Sequence, residues 1–361
     1  MASTTPSVKK PSLSAKKPSL GKLGSRKAKT VNVQATELVK SSFLAESQTL
    51  PIVIEPTKEG VDLVSWAASS RGFIEKNLLK YGGVLFRGFE ISSPESFQDL
   101  IDALGHNALE YTERSSPRSR VDGNIYTSTD YPPQYPIFLH NENSYAHVWP
   151  QKIFFYCHVA PEVGGETPIA DVRRVYQAIP QEIRTRFEEK GILYVRNFSD
   201  VAGLPWQSVF QTDDKDEVAA YATKAGYEIE WQDGNRLRTK RQGAASYLHP
   251  KTGEPVWFNH GTFFHVSTLV PEIRQGLLAQ FAEEDLPNHT FYGDGTPIEP
   301  EALEILRSIY HQETIKFPWR RGDVLMLDNM LVAHAREPFE GDRSILAGMA
   351  EPLEKTRLEQ P

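Results

Sequence analysis

The chain has 361 residues, of which 39% are hydrophobic, 11% aromatic and 24% charged, and its formal net charge is −7. This composition is typical of a soluble globular protein with one large domain or two small ones. No apolar run reaches the roughly 20 residues of a membrane helix, and Cys157 is the only cysteine, which excludes an intrachain disulfide framework. We therefore expect a cytoplasmic protein without a membrane partner, in which Cys157 is a small buried hydrophobic residue.

Charge is distributed unevenly between the N-terminus and the rest of the chain. Residues 1–35 contain eight Lys or Arg, no acidic residue and many Ser and Pro, so we predict a disordered basic tail. An organelle transit segment is the alternative for this tail. Residues 36–361 are predicted to form a single domain. Their net charge is −15, which argues against nucleic-acid binding.

In chain order from residue 50, hydrophobic periodicity predicts a mixture of helices and strands. Apolar residues at helical spacing predict helices at 62–82, 92–105, 172–190, 271–284 and 299–310. Short apolar runs predict strands at 83–89, 152–160, 167–171, 191–198, 245–260 (a hairpin), 314–319, 322–330 and 343–352. Residues 111–150 show little periodicity and are predicted to be a long irregular segment, of the kind that is functional or mobile.

The predicted elements favour a mainly β fold. Many short strands with inserted helices are typical of a β-sandwich or jelly roll. Strands and helices do not alternate as they do in βαβ units. No G-x-G-x-x-G follows a strand and opens a helix, so a nicotinamide or flavin site is not supported.

The stretch FLHNENSYAH contains a candidate metal-binding pair, His140 and Glu142. On an extended segment, side chains two residues apart project to the same face, so this imidazole and carboxylate could bind one ion. A third ligand has to come from elsewhere, and His334 follows the strand-like run GDVLMLDN at the start of a polar loop. Two imidazoles and one carboxylate are the ligand set of non-haem Fe(II) oxygenases. His147 is a rival to His140, but it lacks a carboxylate partner two residues away.

Two further residues could hold a carboxylate beside such a metal. Arg343 directly precedes the apolar run SILAGM, nine residues after His334, and a guanidinium there offers a bidentate contact to a carboxylate. Thr167 lies in GGETPIAD, where two glycines allow a sharp turn and the hydroxyl can add a hydrogen bond. Thr167 and Arg343 would then form a carboxylate clamp. A metal with open positions and this clamp could together bind a 2-oxo dicarboxylic acid.

The order of these motifs, His140-x-Glu142, GGETPIAD, PWRRGDVLMLDN and HAREPFEGDR, resembles the taurine dioxygenase family and, within it, the clavaminate synthase-like branch. The resemblance implies a double-stranded β-helix core (jelly roll, cupin-like) with inserted helices, and Fe(II) and 2-oxoglutarate as cofactors. It implies that His140, Glu142 and His334 are the metal ligands. It also implies that Thr167 and Arg343 hold the distal carboxylate of 2-oxoglutarate. Family halogenases have a small residue at the position of Glu142, so this glutamate implies hydroxylation or a related oxidation.

The activity that the resemblance implies is a dioxygenase reaction that uses O₂ and releases succinate and CO₂. We expect hydroxylation of an unactivated C–H bond in a small amino-acid-like substrate of natural-product biosynthesis, either free or tethered to a carrier protein. Oxidation of a sulfonate or aryloxy acid in catabolism is the alternative within the class. A zinc hydrolase and a non-catalytic jelly-roll binding protein are the alternatives from other classes, and the sequence leaves the oligomeric state open.

Other residues near these motifs are predicted to support the metal or to contact the substrate. Asp328 and Asn329 precede His334 and could orient a ligand, with an ordinary strand-end turn as the alternative. For Trp257 the alternative to substrate binding is core packing, and for Arg196 and Arg336 it is a surface salt bridge. The candidates for substrate binding are Asn143, Ser144, Arg196, Trp257, Asn259 and Arg336.

Overall fold

The computed structural model describes residue 1 and residues 37–105, 120–129 and 131–355. The described residues from 37 onward fall in one compact unit, Ala35–Pro361. Apart from Met1, the basic tail predicted at 1–35 lies outside the described residues. No helix in the described part of the chain is long and apolar enough to cross a bilayer.

Strands provide the framework of this unit. In chain order they are β1 (Val39–Phe43), β2 (Ile52–Pro56), β3 (Gly83–Phe86), β4 (Arg120–Asp122), β5 (Ile125–Thr127), β6 (Ile137–His140), β7 (Val148–Val159), β8 (Val163–Gly164), β9 (Ile169–Asp171), β10 (Ile192–Phe198), β11 (Glu228–Gln232), β12 (Arg236–Gly243), β13 (Tyr247–Leu248), β14 (Pro255–Val256), β15 (Asn288–Tyr292), β16 (Val324–Asp328), β17 (Val332–Arg336), β18 (Phe339–Glu340) and β19 (Ser344–Glu354). The two longest, β7 and β19, pair with each other along most of their length.

The main sheet has eight strands in the order β1-β2-β3-β16-β7-β19-β5-β4. Its neighbours are antiparallel except for β2 and β3. β7 and β16 occupy its centre because both are nearly continuous apolar runs, which is typical of strands buried on both faces. Smaller sheets have the orders β6-β17-β9 and β11-β12-β10-β15.

Helices pack against this framework and contribute to the apolar clusters on both sides of the main sheet. They are α1 (Leu63–Ser69), α2 (Arg71–Tyr81), α3 (Pro94–Ala103), α4 (Val172–Ala178), α5 (Gln181–Lys190), α6 (Trp206–Phe210), α7 (Lys215–Ala225), α8 (Gly261–Phe264), α9 (Pro271–Leu278) and α10 (Pro300–Gln312). Local sequence explains their ends. Ser93 and Ser96 form a capping box at the start of α3, and Gly82 ends α2 in the left-handed conformation.

The central strands bury side chains on both faces of the main sheet. Phe154 and Tyr156 of β7 belong to an apolar cluster that includes α1, α2 and α3. Ile153 and Phe155, which alternate with them, belong to a second and larger cluster. This division follows from the two-residue period of a strand. The second cluster also contains Ala333 of β17, and the candidate metal ligands lie on that side.

Two helices that the sequence predicts as continuous are divided in the structure. The helix predicted at 62–82 is interrupted at Ser70, which ends α1 and starts α2. The helix predicted at 172–190 is interrupted at Pro180, since proline has no N–H for a helical hydrogen bond and disfavours a helical residue before it.

Other differences concern strands. The strand predicted at 314–319 is wrong, because it contributes only a bridge between Ile315 and Ile169 before Pro318. Residues 206–243, to which no element was assigned from the sequence, contain α6, α7, β11 and β12. Their strands are rich in charged residues, so the alternation that identifies a half-buried strand is weak.

Candidate metal centre

Two neighbouring strands bring His140 and His334 together. β6 ends at His140, β17 carries His334 at its centre, and the two residues are opposite each other in the antiparallel ladder. Their ring centroids are 4.4 Å apart. The prediction that His334 begins a polar loop is wrong, because the chain re-enters the core as a strand at Val332.

Glu142 reaches these imidazoles from a turn. The chain leaves β6 at His140 and turns over residues 142–145, with Asn143 at a φ of 54°. The expectation of an extended segment is therefore wrong, but the turn also brings the Glu142 carboxylate close to the His140 imidazole. One ligand atom from each of His140, Glu142 and His334 lies within 4.8 Å of the other two.

Asn329 holds the backbone of this turn. Its Oδ1 accepts a hydrogen bond from the Glu142 N–H at 2.8 Å, and its Nδ2 donates to the carbonyls of Glu142 at 2.9 Å and Pro150 at 2.8 Å. Asn141 donates from its side chain to the Asn329 carbonyl at 2.7 Å. Asn329 is completely buried, where hydrogen bonds are electrostatically strong. Of the two roles that the sequence left open, the contacts favour orientation of a ligand-bearing turn.

Asp328 belongs to a buried charged group behind the turn. Its carboxylate lies 3.3 Å from Lys152 Nζ and 3.3 Å from His249 Nε2, and all three side chains are almost inaccessible to solvent. Burial raises the pKa of Asp328, but Lys152 and His249 outweigh this effect and hold the pKa well below its usual range. Asp328 is therefore ionised, and its contacts fix the end of β16 immediately before Asn329.

The surroundings of His140 suit a metal ligand. Its Nδ1 lies 2.8 Å from the Phe138 carbonyl, which assigns the ring proton to Nδ1 and leaves Nε2 able to bind a cation. Phe263 stacks on this imidazole at 4.5 Å with an interplanar angle of 12°, which holds its orientation. Nε2 of His334 lies 3.8 Å from Oε2 of Glu142. Two imidazoles and one carboxylate so arranged fit a divalent transition metal such as iron.

The predicted carboxylate clamp is held together at Gly165. Arg343 donates from Nε to the Gly165 carbonyl at 2.9 Å, and Thr167 follows two residues later in the chain. Trp319 donates from Nε1 to the Thr167 hydroxyl at 3.1 Å. Burial lowers the pKa of Arg343 to about 10, so its guanidinium is cationic at neutral pH. A fixed cation and a fixed hydroxyl in one region are what the binding of a carboxylate requires.

A cavity of about 930 Å³ adjoins the metal ligands, and His140 forms part of its wall. Most of its lining is apolar, with aromatic contributions from Phe138, Phe263 and Phe264. Cationic groups are present at Arg307, Lys316 and Arg336. Concave, mainly apolar sites of this size with a few polar groups are typical of small-molecule pockets.

The residues predicted to contact substrate do not all line the cavity. Arg336 lines the cavity, whereas its described lining does not include Asn143, Ser144, Arg196, Trp257 or Asn259. Trp257 is completely buried with its ring against Phe187, which is the core packing that the sequence also allowed. Asn259 bridges the backbone of Ala245 and Gly261. These two side chains therefore have structural contacts.

Ser144 and Arg196 contact residues next to the candidate ligands or the cavity wall. The Ser144 hydroxyl is 2.6 Å from Nδ1 of His260, whose ring packs against that of His140. Arg196 is buried over the rings of Tyr145 and Phe264. Asn143 accepts a hydrogen bond from the Tyr145 hydroxyl at 3.3 Å. His147, the rival histidine, is not among the converging ligand groups of the described residues.

Two residues of this site were missed in the sequence. Trp319, which contacts Thr167, lies within the motif PWRRGDVLMLDN, but nothing in its spacing indicates its partner. Phe263, which stacks on His140, follows the run WFNHG, and nothing in its spacing indicates this partner. Both contacts join residues more than 100 positions apart, so they depend on the tertiary fold.

Comparison with known proteins identifies the family. The family model for the taurine catabolism dioxygenase TauD, TfdA family matches residues 47–350. The dapdiamide synthesis protein DdaC of Enterobacter agglomerans is 41% identical over 288 residues, which cover 80% of this chain and 88% of that protein. A clavaminate synthase-like protein of Arabidopsis thaliana is 30% identical over 322 residues, 84% of this chain and 94% of that protein.

A solved structure supports the fold. PvcB, described as an Fe, alpha-ketoglutarate dependent oxygenase from an isonitrile synthetic pathway, superposes with a TM-score of 0.52 at 15% identity and covers 89% of this chain and 96% of its own. The predicted mainly β fold with a jelly-roll core and inserted helices is thereby confirmed. The chain belongs to the TauD/TfdA family and is an Fe(II)- and 2-oxoglutarate-dependent dioxygenase.

Proposed function

We propose that this dioxygenase hydroxylates an unactivated C–H bond of a small amino-acid-like molecule in natural-product biosynthesis. The relative DdaC, 41% identical, is named for the synthesis of dapdiamide, which supports this class of pathway. The observation that carries the proposal is the convergence of His140, Glu142 and His334 beside a cavity of about 930 Å³. Because His140 is both a proposed ligand and part of the cavity wall, a molecule in the cavity lies next to the metal.

We assign His140, Glu142 and His334 as the ligands of iron. When bound, Fe(II) and 2-oxoglutarate supply the oxidising chemistry, in which O₂ is consumed and succinate and CO₂ are released. The residues of the chain orient the reactants. Asn329 fixes the backbone of Glu142, and Phe263 fixes the imidazole of His140.

Arg343 and Thr167 are assigned to the distal carboxylate of 2-oxoglutarate. Arg343 is charged and is held in place by the Gly165 carbonyl and the Ser128 hydroxyl, while Trp319 orients Thr167. Residues fixed in this way lose little conformational entropy when the cofactor binds, so they contribute through positioning. The apolar cavity wall keeps water away from the bound molecule.

Anaerobic titration of the metal-free protein with Fe(II), followed by 2-oxoglutarate, tests the ligand assignment. We expect a weak visible charge-transfer absorption from the chelated cofactor, and we expect His140→Ala to abolish it. His147→Ala is the matched control, since His147 lies on the same segment but is not among the converging groups. It should retain the absorption. An absorption that is unchanged in His140→Ala contradicts the assignment.

Succinate release in the presence of a panel of substrates tests the substrate class. We expect stimulation by amino acids or their derivatives, offered free and as thioesters on a carrier protein, because the cavity has room for more than a free amino acid. The alternative within the class is an aryloxy acid or sulfonate. The aromatic lining at Phe138, Phe263 and Phe264 favours an aryl ring. Stimulation by aryloxy acids alone would replace the first proposal with this one.

A further inference from the structure

Arg336 is the one residue predicted to bind substrate that borders the cavity, yet its guanidinium is occupied by the backbone. It lies in β17 two residues after His334 and is 6% exposed. Its Nη1 donates to the Tyr131 carbonyl at 2.8 Å, and its Nη2 donates to the carbonyls of Pro132 at 2.7 Å and Tyr135 at 2.9 Å. Both Nη atoms thus bind the backbone, whereas Nε has no hydrogen-bond partner among the described residues, and the expectation that Arg336 binds a substrate carboxylate stays a prediction.

The segment that accepts these hydrogen bonds, residues 131–136, has few other backbone hydrogen bonds among the described residues. Three of its six residues are prolines, which cannot donate backbone hydrogen bonds. Most of the segment is exposed to solvent, so little apolar burial holds it in place. Its remaining anchor on the same side is the Pro133 carbonyl, which accepts from the Phe339 N–H at 3.1 Å.

This segment also forms a wall of the cavity. Tyr131 and Pro136, at its two ends, are lining residues. The chain then continues directly into β6, where Ile137 is opposite Arg336 in the ladder and His140 is the last residue. Arg336 therefore joins the wall to both strands that carry the proposed histidine ligands.

We propose that Arg336 is a positioning residue, which fastens segment 131–136 to β17 and thereby sets the position of the cavity wall at Tyr131. The proposal rests on the proposed function in so far as that cavity holds the substrate. The planar guanidinium suits this role because its several N–H groups diverge in one plane and can reach three carbonyls at once. The rings of Tyr131 and Phe339, with centroids 5.7 Å and 5.4 Å from its Cζ, hold that plane.

Hydrogen exchange of the metal-free, full-length protein tests this role without any need for iron, 2-oxoglutarate or substrate. In Arg336→Met we expect the amides of Tyr135 and Phe339, which donate to the carbonyls of Pro132 and Pro133, to exchange at least about tenfold faster than in the wild type, since the segment opens locally. Arg336→Lys keeps the charge but cannot span three carbonyls, so it should also exchange faster. Lys316→Met is the control, because Lys316 lines the same cavity but pairs with Glu337. It should leave these amides unchanged.

The outcomes separate this proposal from the proposed function. Wild-type exchange in a folded Arg336→Lys variant overturns the role of Arg336, and that variant decides the question if Arg336→Met does not fold. Faster exchange in Lys316→Met as well as in the Arg336 variants also overturns it, since a general loosening of the cavity wall would then be the cause. The charge-transfer absorption of the Arg336 variants is expected to persist, because Arg336 contacts none of the assigned ligand side chains. Absence of this absorption from the wild-type protein would instead contradict the proposed function.

Discussion

Asn329 shows how one buried amide can determine the geometry of a metal site that it does not touch. It binds the backbone N–H and carbonyl of Glu142 and also the carbonyl of Pro150. A turn that carries a ligand has more freedom than a strand, so this turn needs such a restraint. The preceding residue, Asp328, is itself fixed by Lys152 and His249.

We predict that Asn329→Leu weakens metal binding about 10- to 100-fold, which is typical for the loss of a residue that orients a ligand. Leucine has a similar size but cannot form any of the three hydrogen bonds, so Glu142 loses its fixed position. Anaerobic titration with Fe(II) or Mn(II) measures the dissociation constant. Asn259→Leu is the control, because the side chain of Asn259 also bridges two backbone segments, at Ala245 and Gly261, which carry none of the proposed ligands. Equal losses of affinity in both variants would mean that general destabilisation is the cause.

The residue types of the site could be predicted from the sequence, but their contacts could not. His140, Glu142 and His334 are predicted as ligands from their chemistry, and the structure brings them together, although the argument from an extended strand was wrong for Glu142. Arg336 has the chemistry of a carboxylate-binding residue, and only the structure shows that carbonyls 200 residues away occupy it. Side-chain chemistry is local information, whereas the partner of a side chain depends on the fold.

The turn between β8 and β9 is the element that connects the carboxylate clamp to the rest of the fold. Gly164 and Gly165 both have positive φ, of 67° and 70°. A Cβ on Gly165 would lie 2.8 Å from Pro161 Cγ, 3.0 Å from Phe339 Cβ and 3.0 Å from Arg343 Cδ. A residue without a side chain is therefore needed at position 165, because the Arg343 side chain packs directly against it.

We predict that Gly165→Ala raises the dissociation constant for 2-oxoglutarate about tenfold, or 1.4 kcal/mol, because the new methyl group displaces Arg343. The charge-transfer absorption, titrated with 2-oxoglutarate, measures this change. Gly253→Ala is a matched control, since Gly253 has a φ of 71° but no heavy atom within 4 Å of the Cβ position. It should carry the same backbone strain, about 1–2 kcal/mol, and leave the affinity unchanged. A wild-type affinity in Gly165→Ala would show that Arg343 is not fixed by this turn.

Elements with strong hydrophobic patterns could be predicted from the sequence, and those defined by pairing could not. The apolar runs of β7, β16 and β19 predict strands from the sequence alone, because a strand that is buried on both faces is apolar along its length. β12 contains five Lys, Arg or Gln residues among eight and forms a strand because β10 and β11 pair with it on either side. Residues 314–319 have strand-like composition but no partner strand for most of their length.

For the whole molecule, the main sheet separates two apolar clusters with different tasks. The cluster with α1, α2 and α3 contains none of the assigned site residues and stabilises the sheet. The other cluster lies on the side of the candidate metal ligands and includes Tyr145, Phe264 and Ala333. The alternation of residues in β7 assigns its side chains to the two clusters, so this division could be predicted in principle from the sequence. The end of β6 and the turn after it, which carry His140 and Glu142, could not, because the sequence predicts no regular element there.

A pair of histidines, of which His289 is buried and His265 half-buried, should make the stability of the whole molecule depend on pH. The rings of His265 and His289 are 4.5 Å apart, and burial lowers their pKa values to about 3 and about 4. His289 Nδ1 accepts a hydrogen bond from the Val266 N–H at 3.3 Å, which requires the neutral ring. In the unfolded chain both groups have pKa values of about 6.5. The unfolded state therefore binds more protons between pH 6.5 and 4, and the free energy of unfolding falls as the pH decreases through this range.

We predict that His289→Gln flattens this dependence by about 1.4 kcal/mol per pH unit between pH 6 and 4.5, which is the contribution of one proton. Urea unfolding of the metal-free protein at several pH values measures the slope. The difference between the variant and the wild type at pH 7.5 measures the loss of packing alone, because both proteins then have a neutral side chain at this position. If the two stability curves run parallel down to pH 4.5, His289 takes up no proton on unfolding and another group controls acid stability. If they converge as the pH falls, the buried histidine limits the acid tolerance of the fold.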